Sequence, residues 1–147
     1  MGKTRNDEKK SIQDCVNEAK ELFTKKEKTS CSDLLKMSQV DDLDNLFESI
    51  KSLVRKFGSS IKTAQIRNIY SKVQAAKTVT ALKLLRPKLA YIAARQTNTE
   101  AKALVLFCEE LIAQIAKDNN EQLESFKMFF ESLVAYHKFY ETLKEEK

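Results

Sequence analysis

The sequence predicts an all-α protein, a bundle of five to six helices. Three observations carry that expectation. The apolar residues recur at three- and four-residue spacing along the whole chain, which is the helical period. Only two glycines and one proline occur in 147 residues, so tight β-turns and glycine-rich loops are nearly excluded. Lysine, glutamate, leucine and alanine, all good helix formers, are abundant. A chain of this length forms one domain and buries roughly 70% of its unfolded surface, enough for a real core.

The elements follow in order. Ile12, Cys15, Val16, Ala19, Leu22 and Phe23 make a first helical stripe, ended by the charged stretch Thr24 to Thr29. Leu34, Leu35 and Met37 form a short apolar patch of no clear period. Ser38 is a candidate cap for a second helix, with Asp41, Asp42 and Asp44 in its first turns, where the helix dipole favours anions. Leu43, Leu46, Phe47, Ile50, Leu53, Val54 and Phe57 give that helix its apolar face, and Gly58 stands where a left-handed stop is expected. Ser59, Ser60 and Thr63 are candidate caps for a third helix carrying Ile66, Ile69, Tyr70 and Val73. Thr78 to Thr80 interrupts it.

A fourth element runs from Ala81 to Arg95 and contains Pro87. Proline lacks an N–H and clashes with the preceding turn, but is tolerated in a first turn. The helix therefore either restarts near Arg86 or kinks there. Thr97 to Glu100 reads as a capping box opening a fifth helix with Leu104, Phe107, Cys108, Leu111 and Ile115. Asp118-Asn119-Asn120 is a loop and cap. The last helix carries Leu123, Phe126, Phe129, Phe130, Leu133, Tyr136, His137, Tyr140 and Leu143. As organisation, residues 38–147 form the bundle, and residues 1–37 are a variable N-terminal helical segment that either folds on it or trails.

The charge is strongly segregated. Lys51 to Thr99 holds 11 Lys/Arg and no Asp or Glu, while residues 1–50 are net −2 and residues 100–147 net −4. The formal net charge of +5 hides this. A soluble surface mixes both signs. An acid-free basic window is the footprint of a polyanion partner.

Several classes are excluded. No stretch free of Lys, Arg, Asp and Glu exceeds six residues, against the roughly 20 a membrane helix needs. The two glycines, Gly2 and Gly58, cannot build a P-loop or a GxGxxG cradle. The start, MGKTRNDEKK, has no apolar signal region, and Asn6 stands where a myristoylation motif has Ser or Thr. Cys15, Cys31 and Cys108 are odd in number without CxxC spacing, which fits a reduced, cytoplasmic protein with neither disulfide nor zinc site.

The candidate chemistry sits in the basic window. On the fourth element Leu82, Leu85, Leu89 and Ile92 share a stripe that should face the core. Lys88, Tyr91 and Arg95, at i, i+3 and i+7, share another. Lys and Arg supply charge for phosphate, and Tyr a ring for stacking and a hydroxyl. On the third helix Arg67, Ser71 and Gln74 share a face away from Ile66, Ile69 and Val73, with groups suited to phosphate and 2′-hydroxyl contacts. A solvated charged face is the plain alternative for any one of these residues, though a poor one for 49 consecutive residues without an acid. His137, the sole histidine, lies near the line of Phe126, Phe130, Leu133 and Tyr140 and reads as an interface residue rather than a catalyst. Cys108 reads as core. Asp41, Asp42 and Asp44 read as dipole complements rather than metal ligands. No enzyme, metal or cofactor is expected.

Three blocks carry a family resemblance: TAQIRNIYSKV (Thr63–Val73), LRPKLAYIAAR (Leu85–Arg95) and FKMFFESLVAYHKFY (Phe126–Tyr140). In order and spacing, over roughly Ser59 to Tyr140, they resemble the small subunit of type III-A CRISPR effector complexes, the Csm interference complex. The first fifty residues lie outside the resemblance. It implies a non-catalytic, all-helical protein of antiviral defence. Copies stack as an inner filament beside repeated backbone subunits, and together they hold the guide RNA and its paired target RNA. Nuclease and nucleotide-cyclising activities belong to other subunits. Base pairing then reads the sequence, and the protein contributes charge and shape along the RNA backbone. The residues carried over by position are Arg67, Arg86, Lys88, Tyr91, Arg95 and Lys138. Arg86 falls off the Lys88–Arg95 face of a continuous helix.

Two other readings remain at this level. One is a helical interaction module whose acidic ends pair with the basic window of a neighbouring copy, head to tail. The other is a small DNA-binding regulator, in which Phe57-Gly58-Ser59-Ser60 supplies the turn before a recognition helix from Thr63 to Val73.

Overall fold

A computed structural model describes residues 11–24 and 31–145. Among these residues all regular structure is helical. Seven α-helices follow in order: α1 (Ile12–Thr24), α2 (Leu43–Phe57), α3 (Thr63–Ala75), α4 (Val79–Lys83), α5 (Arg86–Ala94), α6 (Thr99–Gln114) and α7 (Asn120–Glu145). Six of them have nine residues or more, and α4 is a five-residue turn of helix. Two 3-10 turns, Cys31–Leu35 and Met37–Gln39, join α1 to α2. The all-α bundle is as expected.

α6 and α7 form the spine. α1, α2 and α5 pack on α6, while α2, α3 and the first 3-10 turn pack on α7. The core between them is aromatic: Phe23 stacks on Phe107 with ring centroids 5.7 Å apart, Phe107 meets Phe129 edge-on at 6.3 Å, and Phe126 meets Phe129 at 5.9 Å. Leu34, Leu35 and Met37, which had no period, are all buried. They are pinned by the Met37 N–H, which donates to Ser125 Oγ of α7 at 3.1 Å. Ile12 opens the first stripe yet is exposed, as is Leu84.

Several helix ends differ in detail from the sequence expectation. Asp42, not Ser38, caps α2, its carboxylate accepting from Asn45 N at 3.1 Å. The second 3-10 turn, anchored by the buried Met37, occupies the stretch in which Ser38 would have begun the helix. Asn98, not Thr97, caps α6, accepting from Ala101 N at 3.1 Å. The residue before α3 is Lys62, with no side-chain cap. The third helix already ends at Ala75, and Thr78 instead caps α4, accepting from Ala81 N, so that Val79 and Thr80 are helical rather than an interruption. At Pro87 the helix restarts rather than kinks, with proline in the first turn of α5. Gly58 is not left-handed: its φ is −101° and its ψ −6°. Its smallness is needed for a different reason, since a Cβ there would meet Val54 O at 2.9 Å and Leu104 Cδ2 at 3.4 Å.

Candidate nucleic-acid interface

α3 is laid against α7 by Ile66, Ile69 and Val73, and α5 against α6 by Leu89 and Ala93, all buried. The two helices do not close on each other. Between them runs a groove of about 580 Å³, lined by Gln65, Asn68 and Lys72 of α3 and by Pro87, Lys88, Tyr91, Ile92 and Arg95 from α5 and its end. Its walls are two rows of identical spacing, 65–68–72 and 88–91–95, each at i, i+3 and i+7. Such a row lies along one side of a helix. Gln96 ties the walls together near the Arg95 end, its Nε2 reaching Gln65 Oε1 at 3.4 Å and Ile92 O at 3.2 Å.

The expected trio Lys88, Tyr91 and Arg95 is brought together in this groove. Tyr91 is 62% exposed. The Arg95 guanidinium lies 5.8 Å from its ring centroid, with Nη1 3.5 Å from the phenol oxygen. The trio Arg67, Ser71 and Gln74 is not placed opposite it. Arg67 borders a second groove of about 310 Å³ on the far side of α3, shared with Thr63, Ile66, Val134, Ala135, His137 and Lys138. The structure thus pairs Arg67 with Lys138, two cations 71 positions apart in sequence. Ser71 is exposed on the ridge of α3 and lines neither groove. Gln74 is half-buried, its Nε2 is buried with no hydrogen-bond partner, and its carbonyl accepts from Lys127 Nζ at 3.3 Å.

Gln65, Asn68 and Lys72 were missed by the sequence reading, which followed the arc of Arg67, Ser71 and Gln74. The signal was present in their i, i+3, i+7 spacing, which matches that of Lys88, Tyr91 and Arg95. Only packing tells which arc of α3 turns toward α5.

The acid-free window is not acid-free in space. Arg86 Nε donates to Glu109 Oε2 of α6 at 2.7 Å, Lys56 reaches Glu18 at 4.0 Å and Lys51 pairs with Glu48 at 3.1 Å. Arg86 therefore lies outside both grooves, clamping α5 to α6. Among the described residues no carboxylate is within ion-pair distance of Arg67, Lys72, Lys88, Arg95 or Lys138, and none lines either groove. Five uncompensated cations on three helices raise the local potential and attract anions.

Elsewhere the reactive side chains are inward and quiet. Burial pushes the Cys108 thiol up to about 12, and burial, partly offset by Lys20, pushes Cys31 up to about 11. Such thiols are not nucleophiles near neutral pH. His137 is 2% exposed, with Nε2 3.0 Å from Ile61 O. No cluster of three metal-ligating side chains occurs among the described residues, and no helix there is long and apolar enough to cross a membrane.

Fold and surface together define an all-helical chain with a solvent-facing cationic surface on α3, α5 and α7. Residues 9–143 match the family model described as Csm2 Type III-A, and the chain belongs to that family, the small subunit of the type III-A CRISPR effector complex. Membership brings association with the other Csm effector subunits. The match reaches back to residue 9, far beyond the Ser59–Tyr140 blocks that carried the resemblance. No curated protein and no solved structure matches the chain.

Proposed function

We propose that this subunit is a non-catalytic RNA-binding component of the complex, working in the cytoplasm in antiviral defence. It holds the guide RNA and its paired target along their phosphates without reading sequence. The observation that carries this is the pair of grooves flanking α3. Lys72, Lys88 and Arg95 on one side and Arg67 and Lys138 on the other have no described acidic partner. Cations left in water without counter-charges gain from phosphate by releasing condensed counterions. Arg86 is assigned to packing, because its charge is already taken by Glu109.

Several copies stack head to tail as an inner filament, the acidic ends of one copy against the basic window of the next. The net charges of −2 and −4 flanking the +11 window support that arrangement. Stacking must leave the α3 grooves open for RNA, so the acidic ends meet other cations of the window, such as Lys62 and Lys77, both exposed.

Fluorescence anisotropy with a guide–target RNA duplex across a salt series tests the RNA reading. Each phosphate contact contributes about −0.7 to −0.9 to the slope of log K against log salt. Five cations predict a slope of about −3 to −5, equal for unrelated sequences. An affinity that ignores salt would overturn it.

A further inference from the structure

We infer that the α3–α5 groove receives the base of a nucleotide that is not stacked in a duplex. The inference rests on the RNA reading of the same surface and adds what that groove holds. Backbone binding needs only cations, and the Arg67–Lys138 groove on the other side of α3 has them without an exposed aromatic ring. The α3–α5 groove has more. Pro87, Ile92 and the Tyr91 ring line it with apolar surface, Gln65 and Asn68 add two primary amides, and Lys72, Lys88 and Arg95 add three charges.

Each part suits one part of a nucleotide. A flat base gains by stacking on an exposed tyrosine, and this gain does not depend on which base it is. A paired base offers no free face, because its neighbours cover both; only an unpaired, unstacked one does. The guanidinium of Arg95, held against Tyr91, puts a planar phosphate binder beside the stacked ring. Gln65 keeps its amide NH₂ as a donor, since its oxygen already accepts from Gln96, and the exposed Asn68 both donates and accepts. With a donor and an acceptor at hand, any of the four base edges finds a partner. About 580 Å³ is within the range of small-ligand sites.

Three labelled RNA duplexes of the same sequence separate this from backbone binding: one fully paired, one with a single bulged nucleotide, and one with an abasic residue at the bulge. The bulged duplex is expected to bind about five- to a hundredfold tighter than the paired one. The abasic duplex, equally bent and charged, should fall back to the paired value. Tyr91→Ala should abolish the preference and leave the salt slope within about half a unit, while Tyr91→Phe keeps the preference. A 2-aminopurine at the bulge should change its fluorescence on binding to wild type and not to Tyr91→Ala. Equal affinity for paired and bulged duplexes, with a normal salt slope, overturns the inference and leaves the RNA reading standing. Failure to bind any of the three overturns both.

Discussion

Aromatic rings do opposite jobs in two regions of this molecule. Between α1, α6 and α7, Phe23, Phe107, Phe126, Phe129 and Phe130 are each 2% exposed or less and lie in a chain of ring contacts. On α5, Tyr91 stands 62% exposed with the Arg95 guanidinium against its ring. The first region is held by area removed from water, roughly 1.5–3 kcal/mol for each fully buried large side chain. The second exposes apolar surface and unpaired charge, neither of which stabilises the isolated chain. Stability and ligand contact are therefore carried by different residues and can be broken separately.

The largest effect belongs to the aromatic core. Phe126 is fully buried and touches both Phe129 and Phe130. Phe126→Ala is expected to cost about 3–5 kcal/mol of folding stability, by lost transfer energy and the cavity left behind. Urea denaturation followed by circular dichroism measures it. RNA affinity per folded molecule should be unchanged. A stable variant with weakened RNA binding would erase the division between the two regions.

The groove gives the reverse pattern and a smaller free-energy change. Lys72→Glu, Lys88→Glu and Arg95→Glu together should leave the folding midpoint nearly unmoved, since each surface change is worth at most about 0.5 kcal/mol. The salt slope for RNA should become shallower by about 2 to 3, roughly one unit for each phosphate contact removed. If the triple variant binds RNA like wild type, the α3–α5 groove is not the contact surface. Applying the same reversal to Arg67 and Lys138 then asks whether the other side of α3 carries the binding.

Much of this contrast was legible in the sequence, and what was not has a physical cause. The apolar period marked the buried face of α2 up to its end at Phe57 and placed Phe107, Phe126 and Phe130 inside, because burial of one face is what makes a helix amphipathic. Cap positions slipped by one to four residues. Thr97 and Asn98 both suit an N-cap, as do Ser38 and Asp42, and in the second case Ser38 is taken up by the 3-10 turn that Met37 anchors. Gly58 was correctly marked as a boundary on the wrong ground, since its backbone is right-handed and what a Cβ there would strike is Val54 O of the preceding turn, at 2.9 Å. The Lys88–Tyr91–Arg95 row was readable because helical spacing alone assembles it. Its partner row on α3 was not, because no local signal says which side α5 lies on. Ion pairing was equally invisible: Arg86 and Lys88 are two residues apart in the same acid-free run, and only the fold sets Glu109 beside one of them.

That last pair supplies the finest test of the division. Arg86 is half-exposed, and Glu109 is 16% exposed beneath it. A partly exposed ion pair is worth about 0–1 kcal/mol, so Arg86→Met, which keeps the aliphatic stem, should lower stability by about that much. Removing the cation leaves a carboxylate with reduced access to water, which places the cost toward the upper end of that range. The double variant Arg86→Met/Glu109→Gln should recover part of the loss, because no uncompensated charge is left behind. RNA affinity and salt slope should match wild type in both variants. Lys88→Met, two residues along the same helix, should do the opposite: no change in the folding midpoint and a slope about one unit shallower. If Arg86→Met also takes a unit from the slope, its guanidinium serves phosphate as well as Glu109, and the boundary between the two regions runs through α5 itself rather than along its edge.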